Sequence, residues 1–299
     1  MSPSFLNHDG WAIGLIREPI SSLLGRESSP EIEWLPLQRA HTFFADPFLI
    51  EHRSATYCFF EELSYRSNRG RISYVVLDER CRSPLLIERA ITTPYHLSYP
   101  FLVRYEDDIF CIPESFESGR ISIFGAREFP NGWYERATLL DNFAGVDPTV
   151  FEHGGRWWLF CTDARSAWNA DLYAFYADDL FGRWRPHGLN PIKRDLRGSR
   201  PGGTPFVHGD RLFRPAQDCS SRYGGGLIIN EILALSPDRF LEIETMRLLA
   251  DQSGPFPDGF HTASGCGPLT AVDGNCFRFE PIQAARQLGG YVRRFLRSA

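Results

Sequence analysis

A short phrase led by proline recurs five times along the 299-residue chain, and this repeat restricts the fold more than any other feature. Four copies occupy residues 44–62, 98–115, 146–163 and 203–218, and a weaker fifth copy begins at His261. In the first four, proline follows an aspartate, a tyrosine or a threonine, and a short apolar segment, a polar turn and an aromatic segment come after it. Two apolar segments joined by a polar turn are typical of a β-hairpin, so each copy predicts one hairpin.

Further strand-like segments lie between the copies, at residues 72–77, 121–124 and 172–176. Four short strands per unit of about 50 residues is the pattern of a propeller blade. A β-sandwich is the alternative, but sandwich strands seldom repeat a proline-led phrase at so long a period. The sequence therefore predicts an all-β fold, a single five-bladed β-propeller over residues 1–299. The predicted blades span residues 41–95, 96–143, 144–198, 199–256 and 257–280.

Two segments lie outside the predicted blades. Residues 11–40 contain the strand-like run 11–16, a short helical segment at 20–24 and a second strand-like run at 32–37, and we expect them to pack on the first blade or to close the ring. Residues 281–299 read as a helix that is interrupted by two glycines and is basic on one side. We expect this helix to cap the propeller, and weak contact with a membrane surface is the alternative.

Composition excludes several classes of protein. The formal net charge is −5 and no basic run stands out, which disfavours nucleic acid as a partner. No apolar stretch approaches the roughly 20 residues of a transmembrane segment. The seven cysteines are scattered without a CxxC pair, so neither a zinc site nor a disulfide framework is predicted. These observations predict a cytoplasmic protein with no cofactor and no metal.

In a propeller the innermost strands surround a central channel, so residues at equivalent places in the repeat meet at one mouth. Polar residues occupy these places at the starts of the first hairpin strands and at the ends of the second. They include Asp46, Tyr99, Asp147, His261, Glu61, Glu62, Glu114, Asp163, Gln217 and Asp218. A ring of carboxylates, amides and hydroxyls suits a sugar, and paired carboxylates are what cleavage of a glycosidic bond requires.

The Ala-Asp-Pro and Val-Asp-Pro phrases, which contain Asp46 and Asp147, resemble the five-bladed glycoside hydrolases of family 43. Longer phrases extend a second resemblance over nearly the whole chain. They read FFADPFLI, HLSYPFLV, IPES, DPTVF, WWLF, SRPGG and RPAQDCSSRYGG. Together they resemble the N-terminal domain of plant glucosamine inositolphosphorylceramide transferases and the bacterial proteins that bear this domain. This second resemblance implies a sugar-related setting, but not the activity of the plant glycosyltransferase domain, which is absent from this sequence.

The resemblance to family 43 implies that Asp46 is the general base and that Asp147 orients the substrate and tunes the acid. In that family the acid is a Glu that leads blade four, whereas the matching phrase in this chain begins at Gly203. Three replacements for the acid stay open, namely Glu114, Asp218 and Glu62. The missing Glu favours glycosyl transfer or phosphorolysis over plain hydrolysis.

Basic residues near the channel motifs suggest a second type of ligand. A guanidinium fork suits phosphate oxygens, so Arg200, Arg214 and His261 predict a site for a phosphorylated or nucleotide sugar. The residues predicted to bind substrate are Glu62, His96, Tyr99, Asp163, Arg200, Arg214, Gln217 and His261, and the predicted catalytic residues are Asp46, Asp147, Glu114 and Asp218. The sequence thus predicts a carbohydrate-active enzyme, with a glycan-binding module without catalysis or an interaction scaffold as the alternatives.

Overall fold

A computed structural model of the chain describes residues 7–26, 28–77 and 85–286. The described residues form short antiparallel strands, numbered in chain order. They are β1 (Asn7–His8), β2 (Trp11–Ile16), β3 (Glu33–Trp34), β4 (Thr42–His52), β5 (Ala55–Ser64), β6 (Arg69–Leu77), β7 (Glu88–Ile91), β8 (Ser98–Tyr105), β9 (Asp108–Glu114), β10 (Ile121–Glu128), β11 (Asn131–Leu140) and β12 (Gly145–His153). They continue with β13 (Arg156–Asp163), β14 (Asp171–Ala177), β15 (Arg185–Pro186), β16 (Lys193–Arg194), β17 (Arg197–Pro201), β18 (Phe206–His208), β19 (Arg211–Asp218), β20 (Gly226–Ser236), β21 (Arg239–Leu249), β22 (Ala263–Cys266), β23 (Leu269–Asn275) and β24 (Arg278–Phe279).

Five antiparallel sheets follow one another along the described chain. Their strand orders are β4-β5-β6-β7, β8-β9-β10-β11, β12-β13-β14-β15, β17-β19-β20-β21 and β22-β23-β2-β3. Two short strands join as side pairs, β16 with β14 and β18 with β19, and β1 pairs with β24 outside the blades. The predicted five-bladed β-propeller is therefore confirmed, and the proline-led phrases of blades one to three supply the first two strands of each blade.

The N-terminal strands complete the last blade. Strand β2 pairs with β23 in continuous register from Trp11 opposite Asn275 to Ile16 opposite Thr270. Strand β3 is shorter than the predicted 32–37 run, and a 3₁₀ helix covers Ile20–Leu23. Because the two ends of the chain share one sheet, the backbone hydrogen bonds of blade five close the ring.

Only part of the predicted C-terminal helix falls among the described residues. Residues 281–286 are helical, and the remainder of the predicted helix lies outside the described residues, as does Cys81. No helix in the described ranges combines the length and apolar character needed to cross a membrane. The cytoplasmic location stays a prediction.

The inner strands of blades one to three begin with a β-bulge. From the pair Phe44 and Glu62 to the pair His52 and Ala55 of blade one, the inner strand advances eight residues while its partner advances seven. The extra residue falls at the proline-led phrase, where Asp46, Tyr99 and Asp147 have φ of 53°, 44° and 51°. A bulge redirects a side chain at the end of a strand.

Blade four departs from this pattern. Its inner segment advances eleven residues, from Arg197 to His208, while the partner strand advances seven, from Arg211 to Asp218. Blade four thus carries three residues more than blade one in the same stretch. This longer stretch contains Arg200 and Gly203, and it decides what blade four presents to the channel.

Candidate active site

The innermost strands open into a polar cleft of about 490 Å³ at the mouth of the channel. Its volume lies within the range of small-molecule sites. Every blade contributes to it. The lining residues are Asp9, Trp11, Phe43, Ala45, Asp46, Glu61, Leu63, Asn68, His96, Ser98, Glu114, Phe116, Glu117, Trp168, Asn169, Arg200, Tyr223 and His261.

Asp46 is buried at the seam between blades one and five. Its carboxylate accepts hydrogen bonds from the Tyr99 amide at 3.2 Å and from the Thr262 hydroxyl at 3.0 Å. His261 Nε2 lies 3.6 Å from Asp46 Oδ1. Burial raises the pKa of Asp46 to about 6. The positive charge of His261 lowers this pKa, and the negative charges of Asp147 and Asp273 raise it.

Asp147 is held by blade four. Its Oδ2 accepts hydrogen bonds from Arg200 Nε at 2.6 Å and from Gln217 Nε2 at 2.8 Å, and its amide donates to Glu114 Oε2 at 3.1 Å. Arg200 also donates to Asn169 Oδ1 at 3.0 Å. The structure therefore brings four predicted residues together, and the charge of Arg200 is balanced by Asp147.

Two glutamates of the cleft, Glu61 and Glu114, are buried, which disfavours their charged forms. Burial raises the pKa of Glu61 well above its ordinary value, and the charges of Asp46 and Glu114 raise it further. Burial and the charge of Asp147 likewise raise the pKa of Glu114, with Arg200 acting in the opposite direction. Glu61 Oε1 accepts no hydrogen bond, and His96 Nε2 lies 3.4 Å from it. Burial and the neighbouring carboxylates thus favour the protonated form of both glutamates, the form that can donate a proton.

Aromatic rings flank the carboxyl groups. The Arg200 guanidinium lies 4.8 Å from the ring centre of Tyr223 and 5.5 Å from that of Trp168. Trp11 stacks on His261 with a centroid distance of 3.9 Å and an interplanar angle of 14°. Tyr223 and Trp168 are each more than 40% exposed, so both rings present some of their surface to a ligand. Ring faces beside polar groups suit the mixed surface of a sugar.

Residue 203, where the resemblance to family 43 implies the acid, is a glycine whose backbone packs directly against blade five. Gly203 has a φ of 139°, and a Cβ built on it would lie 1.8 Å from the Ala263 carbonyl oxygen of blade five. Its amide donates to the Tyr99 hydroxyl at 2.7 Å. No side chain fits at residue 203, because blades four and five touch there.

Four predicted residues have their side chains engaged away from the cleft. Glu62 binds Arg39 at 2.6 Å and Arg71 at 2.7 Å, and Asp218 binds Arg247 at 2.6 Å. Burial would raise the pKa of both carboxyls, but hydrogen bonds from Ser73 and the arginines at Glu62, and from Ser220 and Arg247 at Asp218, hold each pKa below its ordinary value. Both side chains are paired carboxylates, which cannot supply the acid's proton at neutral pH.

The other two also have partners of their own. Arg214 is fully buried and contacts Glu242 Oε1 at 2.7 Å, and Asp163 contacts Arg165 at 3.2 Å. Neither lines the cleft. Strand alternation explains this separation, because adjacent residues at a strand end point to opposite faces. Glu61 lines the cleft and Glu62 does not, for that reason.

Several residues of the site were not among those predicted to act there. Asp273 lies near the end of β23 in the weaker fifth copy, and Trp11 comes from the N-terminal strand that completes blade five. Trp168, Asn169 and Tyr223 lie on loops. The sequence offers no repeat signal for Trp11, Trp168, Asn169 and Tyr223. Glu61 and Asp273 occupy hairpin ends like that of Glu114 and carry such a signal.

One group of donor atoms has the spacing of a metal site. Single donor atoms of Asp46, His261 and Asp273 lie within 4.8 Å of one another. Both oxygens of Asp273, however, already accept hydrogen bonds, from the amides of Asp46, His261 and Thr262 and from the His261 ring. The geometry of these residues is that of a hydrogen-bonded cluster, and the prediction of no metal stays a prediction.

The comparisons with known proteins agree with the fold and with the resemblance. An α-L-arabinofuranosidase from Podospora anserina, solved with cellotriose, superposes with a TM-score of 0.59 at 12% identity, covering 89% of this chain and 97% of that one. A thermostable family-43 glycoside hydrolase superposes with a TM-score of 0.50 at 15% identity, covering 71% of this chain and 78% of that one. At such low identity these structures support the propeller fold alone.

Two curated relatives carry the name glucosamine inositolphosphorylceramide transferase 1. The protein from Arabidopsis thaliana is 32% identical over 207 residues, which is 68% of this chain and 27% of the relative. The protein from Oryza sativa subsp. japonica is 29% identical over 256 residues, which is 78% of this chain and 34% of the relative. The chain thus spans about a third or less of their length.

The family model of the N-terminal region of glucosamine inositolphosphorylceramide transferase 1 matches residues 36–254. This range runs from the approach to blade one to the end of blade four, and it contains Asp46, Glu61, Glu114, Asp147 and Arg200. The chain therefore belongs to the family defined by the N-terminal region of glucosamine inositolphosphorylceramide transferase 1.

Proposed function

We propose that this chain is a carbohydrate-active enzyme that binds a glycan in the cleft and cleaves or transfers one glycosyl unit. One observation carries the proposal: three buried carboxyl groups with raised pKa values, Asp46, Glu61 and Glu114, line a single cleft beside open aromatic faces. Reactions at a glycosidic bond use two carboxyl groups whose environments hold one as an acid and the other as a base.

The roles follow from the electrostatics. Asp46 has a pKa of about 6 and is ionised at pH 7, so it acts as the base. Burial and the neighbouring carboxylates favour the protonated forms of Glu61 and Glu114, which are the two candidates for the acid. The acid protonates the leaving oxygen as its bond to the anomeric carbon breaks. A water or acceptor hydroxyl bonds to that carbon and gives its proton to Asp46, and the neighbouring carboxylates stabilise the oxocarbenium-like transition state.

The relatives support a sugar-related role. Their names describe transferases that concern glucosamine and inositolphosphorylceramide, and the structural neighbours include glycoside hydrolases. A place in glycan biosynthesis is consistent with both. Because this chain spans only part of the relatives, their activity supports the proposal without being assigned to the chain.

The charges in the cleft favour water or an acceptor hydroxyl over phosphate. Arg200 is paired with Asp147 and His261 with Asp273, and Arg214 lies away from the cleft. Among the described residues that line the cleft, a phosphate group would meet carboxylates without an unpaired cation to bind it. We therefore propose cleavage or transfer from an uncharged donor in preference to phosphorolysis.

A panel of 4-nitrophenyl glycosides tests the proposal, with and without added sugar acceptors, by release of nitrophenol. Asp46→Asn and Glu114→Gln are each expected to lower kcat by a factor of about 100 or more, the usual contribution of a general acid or base. Asp107→Asn and Glu152→Gln make the same chemical changes at exposed hairpin residues and are expected to leave turnover unchanged.

The blade-four backbone at Gly203 favours a second candidate, a glycan-binding module that lacks catalysis. A glycan array first identifies a glycan that the chain binds. Calorimetric titration with that glycan then distinguishes the enzyme from the binding module. If the wild type turns over none of the donors and Asp46→Asn still binds the glycan, the enzymatic function is rejected. The non-catalytic glycan-binding module is then supported.

A further inference from the structure

Asp273 is a buried carboxylate at the point where the ring closes. Its Oδ1 accepts hydrogen bonds from the backbone amides of His261 at 3.1 Å and Thr262 at 3.0 Å. Its Oδ2 accepts from the Asp46 amide of blade one at 3.0 Å and lies 2.8 Å from His261 Nδ1. One side chain thus fixes the backbone on both sides of the seam and one nitrogen of the imidazole.

The rest of the His261 ring is equally constrained. Its Nε2 lies 3.1 Å from the Tyr223 hydroxyl and 3.6 Å from Asp46 Oδ1. One face of the ring stacks on Trp11. Because Nδ1 faces a carboxylate and Nε2 faces a second carboxylate, both ring nitrogens have partners that favour a proton.

Asp46 lies among groups that oppose its negative charge. The carboxyls that act on it are Asp147 and Asp273, and Asp46 in turn acts on Glu61 and Glu114. By contrast, the Tyr99 amide donates a hydrogen bond to the Asp46 carboxylate. Arg200, the other cation that lines the cleft, is bound to Asp147, so His261 is the cation placed to balance Asp46.

We propose that Asp273 is a positioning residue that holds His261 as an imidazolium beside Asp46 and thereby keeps Asp46 in its basic form. The role of Asp46 as a base rests on the proposed function. Burial by itself would lower the pKa of His261, but the charge of Asp273 and its hydrogen bond, with help from Asp46, raise it above the ordinary value.

The geometry excludes His261 as the acid of the reaction. Acid and base carboxyl groups that act on one glycosidic bond are about 5–9.5 Å apart, since the anomeric carbon and the reacting oxygens lie between them. The 3.6 Å between His261 Nε2 and Asp46 Oδ1 leaves no such room. His261 therefore acts on Asp46 and not on the sugar.

The first test needs no variant and no activity. In the full chain labelled with ¹⁵N-histidine, NMR titration is expected to show His261 doubly protonated at pH 6.5, with a midpoint above that pH. Assignment comes from the spectrum of His261→Gln, in which one set of ring signals disappears. A neutral His261 ring at pH 6.5 in the wild type would overturn the proposal.

Asp273→Asn provides the second test, with Asp258→Asn as the control. Asp258 accepts a backbone amide hydrogen bond in the same blade but is not in contact with the His261 ring. Asp273→Asn is expected to lower the midpoint of the His261 titration. It is also expected to move the acid limb of the kcat/KM profile to higher pH by about one unit, which corresponds to a tenfold change in the proton affinity of Asp46. The control is expected to change neither.

The two proposals fail in different ways. If the His261 signals behave as expected but no donor is turned over, the proposed function fails while the charge balance stands. A folded Asp273→Asn variant, by circular dichroism, whose His261 midpoint and pH profile match those of the wild type would overturn the role of Asp273.

Discussion

Gly203→Ala tests the finding that blade four meets blade five backbone to backbone. A Cβ at this position would lie 1.8 Å from the Ala263 carbonyl oxygen, so one of the two strands must move. The movement would disturb three hydrogen bonds, from the Gly203 amide to Tyr99, from the Ala263 amide to Gly202 and from the Thr204 amide to Ala263. Each contributes about 1 kcal/mol, and a non-glycine residue at this φ costs about 1–3 kcal/mol. The expected loss of unfolding free energy is about 4–6 kcal/mol.

Urea unfolding, followed by tryptophan fluorescence and by circular dichroism, measures this loss. Gly209→Ala is the matched control, because Gly209 lies in the same blade, has a φ of 60° and has no atom within 4 Å of a Cβ. The control carries only the backbone cost of about 1–2 kcal/mol. A loss in Gly203→Ala no larger than that in Gly209→Ala would refute the contact between the blades.

The same contact bears on the missing acid. Gly203→Glu restores the residue type that leads blade four in family-43 enzymes, yet the structure has no room for its side chain. We expect this variant to be destabilised at least as much as Gly203→Ala and to gain no hydrolysis of nitrophenyl glycosides. A folded, more active Gly203→Glu enzyme would contradict the argument.

Three further predictions follow from buried polar groups. Arg214→Ala leaves Glu242 buried without its main partner and is expected to cost about 3–5 kcal/mol in urea unfolding, and the double variant Arg214→Met with Glu242→Leu is expected to cost less. Tyr99→Phe removes the acceptor of the Gly203 amide and is expected to cost about 1–3 kcal/mol, measured in the same way. Because the pKa of Asp46 is raised, the folded state binds the Asp46 proton more tightly than the unfolded state does. The stability that this proton adds is complete below about pH 4 and is lost as the pH rises through about 6. Asp46→Asn is expected to flatten this pH dependence in urea midpoints between pH 4 and 7.

The sequence predicted the fold because the information is local and repeated. Each proline-led phrase contains a whole hairpin, with its turn residues and its strands adjacent in the chain. Strand β3 was predicted too long, since its apolar residues continue into the connection to blade one and carry no sign of where pairing ends. The sequence signal for blade five was the weakest, because two of the strands of this blade come from residues 11–34.

The site was predictable only where it follows the repeat. Asp46 and Asp147 share a place in the phrase, and Glu114 shares a hairpin end with Glu61. The choice between Glu61 and Glu62 depends on which face of β5 points into the channel. Sequence reasoning does not give that face without the register of the pairing.

The sequence by itself determined the five hairpins and the two aspartates that lead them, because both are fixed by local spacing and turn chemistry. The tertiary structure alone decided how the charges are balanced. It paired Arg200 with Asp147, directed Arg214 to Glu242 and placed the His261 ring between Asp273 and Asp46. These partners lie on different strands or blades, and their distances depend on how the ring closes, which no local pattern encodes.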